Sequence, residues 1–365
     1  MKILHKYVLR EFLLPLAYCF FTFYGLYVLC TLFSSSTFKK ITEAHPPTWF
    51  VIRYLLDYMS PYVVWLLPAS LMLATLYTMW RFCHHSEIVA MRANGLSYAT
   101  VVAPLLIVAA IAAVLCELNQ EFYAPQGREF ARRAEASNFQ PPPPAVRSVD
   151  YYNYPARRVW RINRMNLDDP HILEGVRITI EKPDGRKIVD IVCRRAEYLD
   201  RVWWLYSPQY KYFDENGDPV DAPANPLLNL TVRPMPHFNE KPRDFVIEGK
   251  EWEYLSLRDM ITRVNAHPQT EDPGKLYDIH ARVAMPWACV VITLFAIPAG
   301  VATGRQSVFK GILMAIALFF SFYLACNGCM LLANSKNELL APWLAAWLPN
   351  VVFLGAGLGL FSRLR

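Results

Sequence analysis

The sequence predicts an α-helical membrane protein with six transmembrane helices and an all-β domain inserted between helices 3 and 4. Of its 365 residues, 54% are hydrophobic, and the mean hydropathy is +0.17, which is high for a soluble protein of this length. The apolar residues concentrate in runs of about 18 to 25 residues, long enough to cross about 30 Å of hydrocarbon. A long polar stretch between these runs alternates apolar and polar residues, as half-buried β-strands do.

Six apolar runs are predicted to span the membrane. In chain order they are Leu9–Phe33, Met59–Trp80, Ala99–Leu118, Val283–Thr303, Gly311–Ala333 and Pro342–Phe361. They divide the chain into a first membrane part, 1–118, an inserted domain, 119–280, and a second membrane part, 281–365.

The basic residues near the ends of these spans predict their orientation, because lysine and arginine in short loops stay on the cytoplasmic side. One side carries Lys2, Lys6, Arg10, Arg81, Arg92, Arg305, Lys310, Arg363 and Arg365. The other side carries only Lys39, Lys40, Arg53 and Lys336. We therefore expect both termini in the cytoplasm and the inserted domain on the opposite side, after three crossings.

The inserted domain is predicted to be an antiparallel sandwich or jelly roll. Val176, Ile178 and Ile180 share one strand face, and Lys182–Gly185 is a turn leading to a returning strand, Lys187–Val192. Further strands are expected at Arg158–Ile162, Tyr198–Tyr206, Gln209–Phe213 and Leu227–Val232. Pro141–Pro144 is interpreted as a stiff spacer, and Ser256–Val264 as an amphipathic helix with a serine cap.

The sequence lacks the motifs of several common enzyme activities. No phosphate-binding loop of the G-x-x-x-x-G-K-[ST] type is present, so the chain is not expected to hydrolyse ATP alone. H-E-x-x-H and G-x-S-x-G are absent as well, and we expect no catalytic residues, no metal and no nucleic acid partner. Cys326 and Cys329 have metal or redox spacing, but they lie in an apolar run, which favours packing.

Only Cys193 lies in the inserted domain. A disulfide needs two cysteines, so this domain must be held together by its core.

The loop between the second and third spans, about 84–97, is the most informative segment. Its candidate residues are Glu87, Ile88, Met91, Arg92 and Gly95. Ile88, Met91 and Ala90 are predicted to line one side of a short helix, with Glu87 in its first turn and Gly95 at its end. Composition alone leaves two interpretations open, an amphipathic connector and a docking helix for a partner.

This loop resembles the LptF/LptG (YjgP/YjgQ) permease family, together with three further segments that follow the family's order along the chain. These segments are Tyr7–Phe12, Ala124–Glu129 and Trp347–Asn350. The resemblance implies an inner-membrane permease subunit of the ABC transporter that exports lipopolysaccharide, with a jelly-roll domain in the periplasm. It implies a second homologous permease subunit, a cytoplasmic ATPase dimer that binds the ATP, and a periplasmic jelly-roll bridge protein as partners. No cofactor is implied on this chain.

The resemblance also implies roles for individual residues. Glu87, Ile88, Met91, Arg92 and Gly95 would form the coupling helix that sits in a groove of the ATPase. Residues at the outer ends of the first and third spans would meet lipid phosphates, namely Lys39, Lys40, Arg128, Arg132 and Arg133. Anchoring at the membrane surface is the alternative role for each of these five. The first and fifth spans resemble the family's lateral gate, where Gly311, Ala315 and Ala317 would allow close packing.

Three functions remain open from the sequence. The first is the lipopolysaccharide export permease, the second is a membrane scaffold whose external domain binds a partner, and the third is a lipid-modifying membrane enzyme. The three functions predict different co-purifying partners. The permease should co-purify with an ATPase, the scaffold should not, and the enzyme should turn over its substrate alone.

Overall fold

The computed structural model describes residues 2–140, 145–214, 217–220, 230–267, 272–303, 308–334 and 339–363. The chain forms two compact units. A helical unit comprises Met1–Gln140 and Asp272–Arg365, and a β unit comprises Pro141–Glu271. The predicted spacer Pro141–Pro144 and the first half of the predicted strand Leu227–Val232 lie outside the described residues.

Most of the helices belong to the helical unit. They are α1 (Lys2–Leu32), α2 (Ser35–Ala44), α3 (Thr48–Met59), α4 (Val63–His84), α5 (Glu87–Ala93), α6 (Tyr98–Leu118), α7 (Ala124–Ala136), α10 (Pro273–Ala284), α11 (Ala288–Thr303), α12 (Val308–Ala333) and α13 (Pro342–Ser362). The β unit contributes α8 (Pro242–Gly249) and α9 (Leu257–Ala266).

Six helical runs among the described residues are long and apolar enough to cross a membrane, and this confirms the predicted number. They are Ile3–Leu32, Thr48–His84, Tyr98–Ala136, Pro273–Val301, Ile316–Ala333 and Pro342–Ser362. The second and third runs are longer than predicted. At 39 residues, the third would extend about 58 Å at 1.5 Å per residue, which is well beyond the hydrocarbon thickness.

These two long runs continue because their extra helices pack against each other. A π-helical turn, Asn119–Tyr123, joins α6 to α7. At Gly127 of α7 an added Cβ would lie 2.8 Å from the carbonyl oxygen of Asp57, so only glycine permits this approach to α3. The hydroxyl of Tyr54 donates to Oε1 of Glu135 over 2.5 Å. Helix α7 therefore belongs to the helical unit despite its many charges.

The boundaries of the β unit consequently differ from the predicted 119–280. Residues 124–136 extend the third helical run as α7. At the other end, α10 begins at Pro273 and packs against α13. Tyr277 and Ala284 of α10 are buried in a cluster with Ala345 of α13, so this helix lies within the helical unit.

Helix α11 lies at the centre of the helical unit, where it packs against α4, α6 and α13. Its Gly300 faces α4 so closely that an added Cβ would lie 2.7 Å from Cβ of Met79. Buried hydroxyls in these helices bond to carbonyls one turn earlier, as Thr75 does with Leu71 and Thr293 with Cys289. Such bonds satisfy polar groups without a partner from another helix.

Among its described residues, the β unit contains one antiparallel sheet of eight strands. They are β1 (Val146–Asn153), β2 (Arg158–Asn166), β3 (Ile172–Glu181), β4 (Lys187–Leu199), β5 (Val202–Tyr206), β6 (Gln209–Phe213), β7 (Pro219–Val220) and β8 (Val232–Met235). The strand order is β1-β2-β3-β4-β5-β8, with β6 also pairing with β4, and β7 pairing with β6. The long strand β4 thus pairs with β6 through its first half and with β5 through its second half.

One predicted hairpin is confirmed and one predicted strand is wrong. Strands β3 and β4 pair around the Lys182–Gly185 turn, where Gly185 has φ +81°. The predicted strand Tyr198–Tyr206 is instead the end of β4 and the whole of β5. Asp200 and Arg201 form the turn between them with φ values of +51° and +64°. This left-handed backbone suits a two-residue hairpin, but non-glycine residues rarely adopt it.

The core of the β unit combines aliphatic side chains with a central group of aromatic rings. Cross-strand neighbours Trp160, Ile178 and Ile191 form one inward row on β2, β3 and β4. Trp203 from β5 and Phe245 from α8 complete the centre, and both are fully buried. Helix α8 thereby covers this face of the sheet.

A buried ion pair fastens the segment before α8 to the sheet. Nη1 of Arg158 donates to both carboxylate oxygens of Glu240, at 2.9 and 2.7 Å. Nδ2 of Asn153 donates to Oε1 of the same carboxylate over 2.8 Å, and Nε1 of Trp203 donates to the Glu240 carbonyl. The guanidinium also lies 3.9 Å from the ring centroid of Phe238.

The predicted helix at Ser256–Val264 is confirmed as α9, since Oγ of Ser256 accepts from the backbone N–H of Asp259.

Candidate functional site

The predicted coupling segment forms α5, a short helix between α4 and α6. The chain turns sharply before it, because Ser86 adopts a left-handed φ of +58°. It turns again after it at Gly95, where φ is +80° and glycine has little steric penalty. Oγ of Ser97 then accepts from the backbone N–H of Thr100 and caps α6. These two turns set α5 apart as a separate helix at one end of the bundle.

One side of α5 is anchored in the helical unit. Ile88 is buried in a cluster with Val8 and Phe12 of α1 and Phe82 of α4, and Met91 packs against that cluster. Ile88 and Met91 thus share the inward side, as their three-residue spacing allows.

The prediction that Ala90 lies on this same side is wrong. Two residues along a helix correspond to about 200° of rotation, and Ala90 is exposed.

Glu87 is also tied to α1. The hydroxyl of Tyr7 donates to Oε2 of Glu87 over 2.9 Å, and the Tyr7 ring stacks on Phe82 with centroids 6.0 Å apart. One turn further along α1, Glu11 forms an ion pair with Arg81 of α4. The start of α1, the end of α4 and the first turn of α5 therefore form one connected cluster, which we call the N-terminal clasp (Tyr7, Glu11, Arg81, Phe82 and Glu87).

The opposite side of α5 faces outward. Val89 is 60% exposed, and Ala90, Arg92 and Ala93 are exposed as well. The Arg92 guanidinium lies 4.8 Å from the ring centroid of Tyr98, so this ring positions the charge at the end of α5. Gly95 is exposed, and nothing lies within 4 Å of where its Cβ would be. The outward surface of α5 is small, apolar in its middle and positive at its end.

The five predicted lipid-phosphate residues lie on α2 and α7, and the structure assigns them different environments. Lys40 donates from Nζ to the carbonyl of Glu135 over 3.2 Å, near the end of α7. Arg133 forms an ion pair with Glu129 on α7. Lys39 is 75% exposed and lies 3.8 Å from Glu43, while Arg132 is exposed. Lys40 therefore joins α2 to α7. The Lys39 side chain is more open to solvent than that of Arg133, at 75% against 26% exposed.

Sequence reasoning missed Arg282 of α10. It interacts electrostatically with Arg128, Glu117, Glu121 and Asp278, so Arg128 belongs to a mixed charge cluster. The cluster joins residues more than 150 positions apart, and no local motif marks it.

The described residues contain no group of three or more His, Cys, Asp or Glu that could hold a metal ion. Cys326 is buried with Phe322 and Tyr323 on α12, and Cys329 packs beside Tyr277 and Ala345. Of the three small residues predicted to pack closely at the gate, Ala317 is exposed. The side chains around Gly311 and Ala315 lie outside the described part of α12.

The chain matches the sequence model of a known protein family. The sequence model of the lipopolysaccharide export system permease LptF/LptG matches residues 6–363, nearly the whole chain. A search of curated proteins finds no match. The family match includes both halves of the helical unit, the β unit and the α5 segment. The chain therefore belongs to the LptF/LptG family of lipopolysaccharide export permeases, and it is a multi-pass membrane protein with a large β unit.

Proposed function

We propose that this chain is a permease subunit of an ABC transporter that extracts lipopolysaccharide from the inner membrane and passes it to a periplasmic bridge. The observation that carries the proposal is the family match over residues 6–363. A second, homologous permease subunit would complete the membrane part. The chain has no phosphate-binding loop, so a separate cytoplasmic ATPase dimer would bind and hydrolyse the ATP. Both termini would lie in the cytoplasm and the β unit in the periplasm.

We propose that α5 couples this chain to the ATPase through its outward surface. Val89, Ala90 and Arg92 would enter the ATPase groove, because they are exposed while Ile88 and Met91 anchor the helix. Glu87 would act from behind this surface. Its contact with Tyr7 would transmit movements of α5 to α1, since a conformational change needs contacts that differ between the two states.

We further propose that lipid head groups meet α2 and α7. Lys39 would be the first of the five basic residues to pair with a phosphate, because its ammonium group is largely exposed. Lys40 would hold α2 in place through Glu135, as its Nζ donates to that carbonyl. Arg128, Arg132 and Arg133 would contribute positive charge along α7. A lipid phosphate would replace their present partners, because an arginine–phosphate pair is itself favourable.

The β unit would form the jelly roll that reaches the periplasmic bridge. Among the described strands β1 pairs only with β2, and β8 pairs only with β5. Both strands therefore have one edge without a described neighbour, where another sheet could add a strand.

Gentle purification of the tagged full-length chain tests this function. We expect a cytoplasmic ATPase and a second permease subunit to co-purify, and Val89→Asp to reduce the amount of ATPase recovered while leaving the chain in the membrane. Arg363→Ala, at the residue directly after α13, is the control. Recovery of the chain alone would contradict the proposal and favour the scaffold, whereas lipid turnover by the chain alone would favour the enzyme.

A further inference from the structure

A cleft of about 380 Å³ opens in the β unit where β1 ends and the chain turns toward β2. Its walls are formed by the residues around Asn153, by the segment before α8 and by the end of α9. This volume lies within the range of small-molecule sites, about 300–1,000 Å³. The described part of the chain places no lysine or arginine in its lining.

Three tyrosines, Tyr151, Tyr152 and Tyr154, line the cleft. Tyr152 and Tyr154 meet edge to face, with centroids 4.1 Å apart and an interplanar angle of 73°. Tyr151 is held in place by Phe245, with centroids 5.3 Å apart. All three tyrosines remain partly exposed. Rigid aromatic faces of this kind pack against the C–H faces of a ring. The Tyr152 hydroxyl already donates to Oε2 of Glu181 over 3.5 Å, so Tyr151 and Tyr154 would supply the hydroxyls for its polar edge.

Planar polar side chains complete the lining. Asn239 accepts from Asn153 through Oδ1 over 3.0 Å, which leaves its amide N–H groups available. Asp244 accepts from the Lys241 backbone through Oδ2 over 2.9 Å, which leaves Oδ1 available. Asn265 at the end of α9 is exposed and has no side-chain hydrogen bond with a described residue. The cleft thus offers donors and acceptors side by side.

The charge of the cleft disfavours anions. Glu240 at its base is neutralised by Arg158, whose Nη1 lies 2.7 Å from Oε2, while Asp244 adds a negative charge. Burial, followed by the charges of Asp244 and Glu240, raises the pKa of Tyr151 to about 12. Its hydroxyl therefore stays protonated at physiological pH and can donate a hydrogen bond.

We propose that this cleft binds a neutral sugar ring, and that the ring belongs to the saccharide part of lipopolysaccharide. A sugar presents C–H faces to the tyrosines and hydroxyls that both donate and accept to the amides and the carboxylate. A phosphate would find no cation in the described lining. The assignment of the sugar to lipopolysaccharide depends on the proposed function, whereas the assignment of the cleft to a sugar depends only on its chemistry.

Saturation-transfer NMR on the detergent-solubilised full-length chain tests the proposal. The probes are the delipidated core oligosaccharide of lipopolysaccharide, the disaccharide unit of peptidoglycan and inorganic phosphate. We expect saturation to reach ring protons of the core oligosaccharide. The double variant Tyr154→Ala/Asn265→Ala should bind the core oligosaccharide about tenfold more weakly, because it loses one aromatic contact and one hydrogen bond.

Thr262→Ala is the matched control, because Thr262 is exposed on the same helix three residues before Asn265 and does not line the cleft. Its affinity for the oligosaccharide should equal that of the wild type. Circular dichroism establishes that each variant retains its fold, and Asn265→Ala alone replaces the double variant if that variant does not fold.

Absence of saccharide binding, or equal affinity in the cleft variants, would overturn the proposal. If inorganic phosphate competes with the oligosaccharide, the cleft binds anions, and the assignment to a neutral ligand would be overturned. Binding of the peptidoglycan disaccharide without the core oligosaccharide would overturn the assignment to lipopolysaccharide. If the oligosaccharide binds but no ATPase co-purifies with the chain, the proposed function fails and the sugar site stands.

Discussion

The two units of this chain handle apolar side chains in opposite ways. In the β unit the large side chains Trp160, Trp203 and Phe245 are fully buried. In the helical unit, α1 directs Tyr18 and Phe21 outward, and they are 67% and 70% exposed. The first arrangement suits water on the outside, and the second suits lipid or another apolar helix. The comparison teaches that the exposure of large apolar side chains distinguishes a unit surrounded by water from a unit surrounded by lipid or other apolar helices.

Buried polar groups show the same contrast. In the helical unit Ser70, Thr75 and Thr293 bond to carbonyls of their own helix, at 2.7, 2.7 and 2.6 Å. In the β unit Arg158 and Glu240 meet across 82 positions of sequence. Loss of one partner should therefore cost more in the β unit, because no local acceptor can replace it.

The largest expected effect comes from Glu240→Ala in the β unit. Removing one partner of a buried ion pair leaves an uncompensated charge and costs about 3–5 kcal/mol. Hydrogen exchange of the peptides that contain Trp160 and Trp203 should accelerate strongly. Glu174→Ala is the control, because Glu174 pairs with Arg164 at the surface over 3.5 Å. Equal exchange in the two variants would contradict the importance of the buried pair.

The next effect concerns helix packing and the substitution Gly300→Ala. The new Cβ would lie 2.7 Å from Cβ of Met79, so α11 must move away from α4, at a cost of about 1–3 kcal/mol. The melting temperature of the full-length chain in detergent should fall. Gly359→Ala is the control, since nothing lies within 4 Å of that position, and it should be neutral or slightly stabilising. A loss of stability in Gly359→Ala alone would refute the packing explanation.

A smaller effect is expected at the N-terminal clasp from Tyr7→Phe. This variant keeps the ring on Phe82 and removes only the hydrogen bond to Glu87, which is worth about 0.5–1.5 kcal/mol. The number of ATP molecules hydrolysed per lipid released by the reconstituted transporter should rise by about two- to tenfold. Tyr18→Phe, at an exposed position of α1, should leave the ratio unchanged. An unchanged ratio in Tyr7→Phe would exclude the clasp from coupling.

The smallest expected effect is that the Cys193 thiol does not react with maleimide. Burial raises the pKa of this thiol to about 12, and only the thiolate reacts readily. Since the folded pKa is raised, Cys193 should stay unlabelled by maleimide from pH 7 to 9. A cysteine introduced by Asp184→Cys in the exposed turn should react faster as the pH rises. Labelling of both cysteines at similar rates would show that the core of the β unit opens readily.

Local patterns predicted much of this fold, and long-range contacts account for what they missed. The apolar runs predicted six spans, and alternation predicted β3, β4 and the turn at Gly185. Helix α7 could not be assigned to the helical unit from the sequence, because its many charges are typical of a soluble segment. Its position is set by packing against α3. The turn at Asp200 and Arg201 was missed because these residues seldom adopt a positive φ.

The candidate site shows the same limit. Its position in the loop could be predicted, since Glu87 and Gly95 mark the start and end of α5. The partner of Glu87 could not be predicted, because Tyr7 lies 80 residues away along the chain. The division of α5 into an anchored and an outward side likewise depends on α1 and α4.

ATP-driven release of lipopolysaccharide from proteoliposomes tests the central claim most directly. The full-length chain would be reconstituted with its co-purified ATPase and second permease subunit, and lipopolysaccharide transferred to an added periplasmic acceptor would be measured over time. We expect transfer that requires ATP, that stops when this chain is omitted, and that falls in Val89→Asp but not in Arg363→Ala. Transfer at the same rate without this chain, or ATP hydrolysis with no transfer in its presence, would contradict the claim.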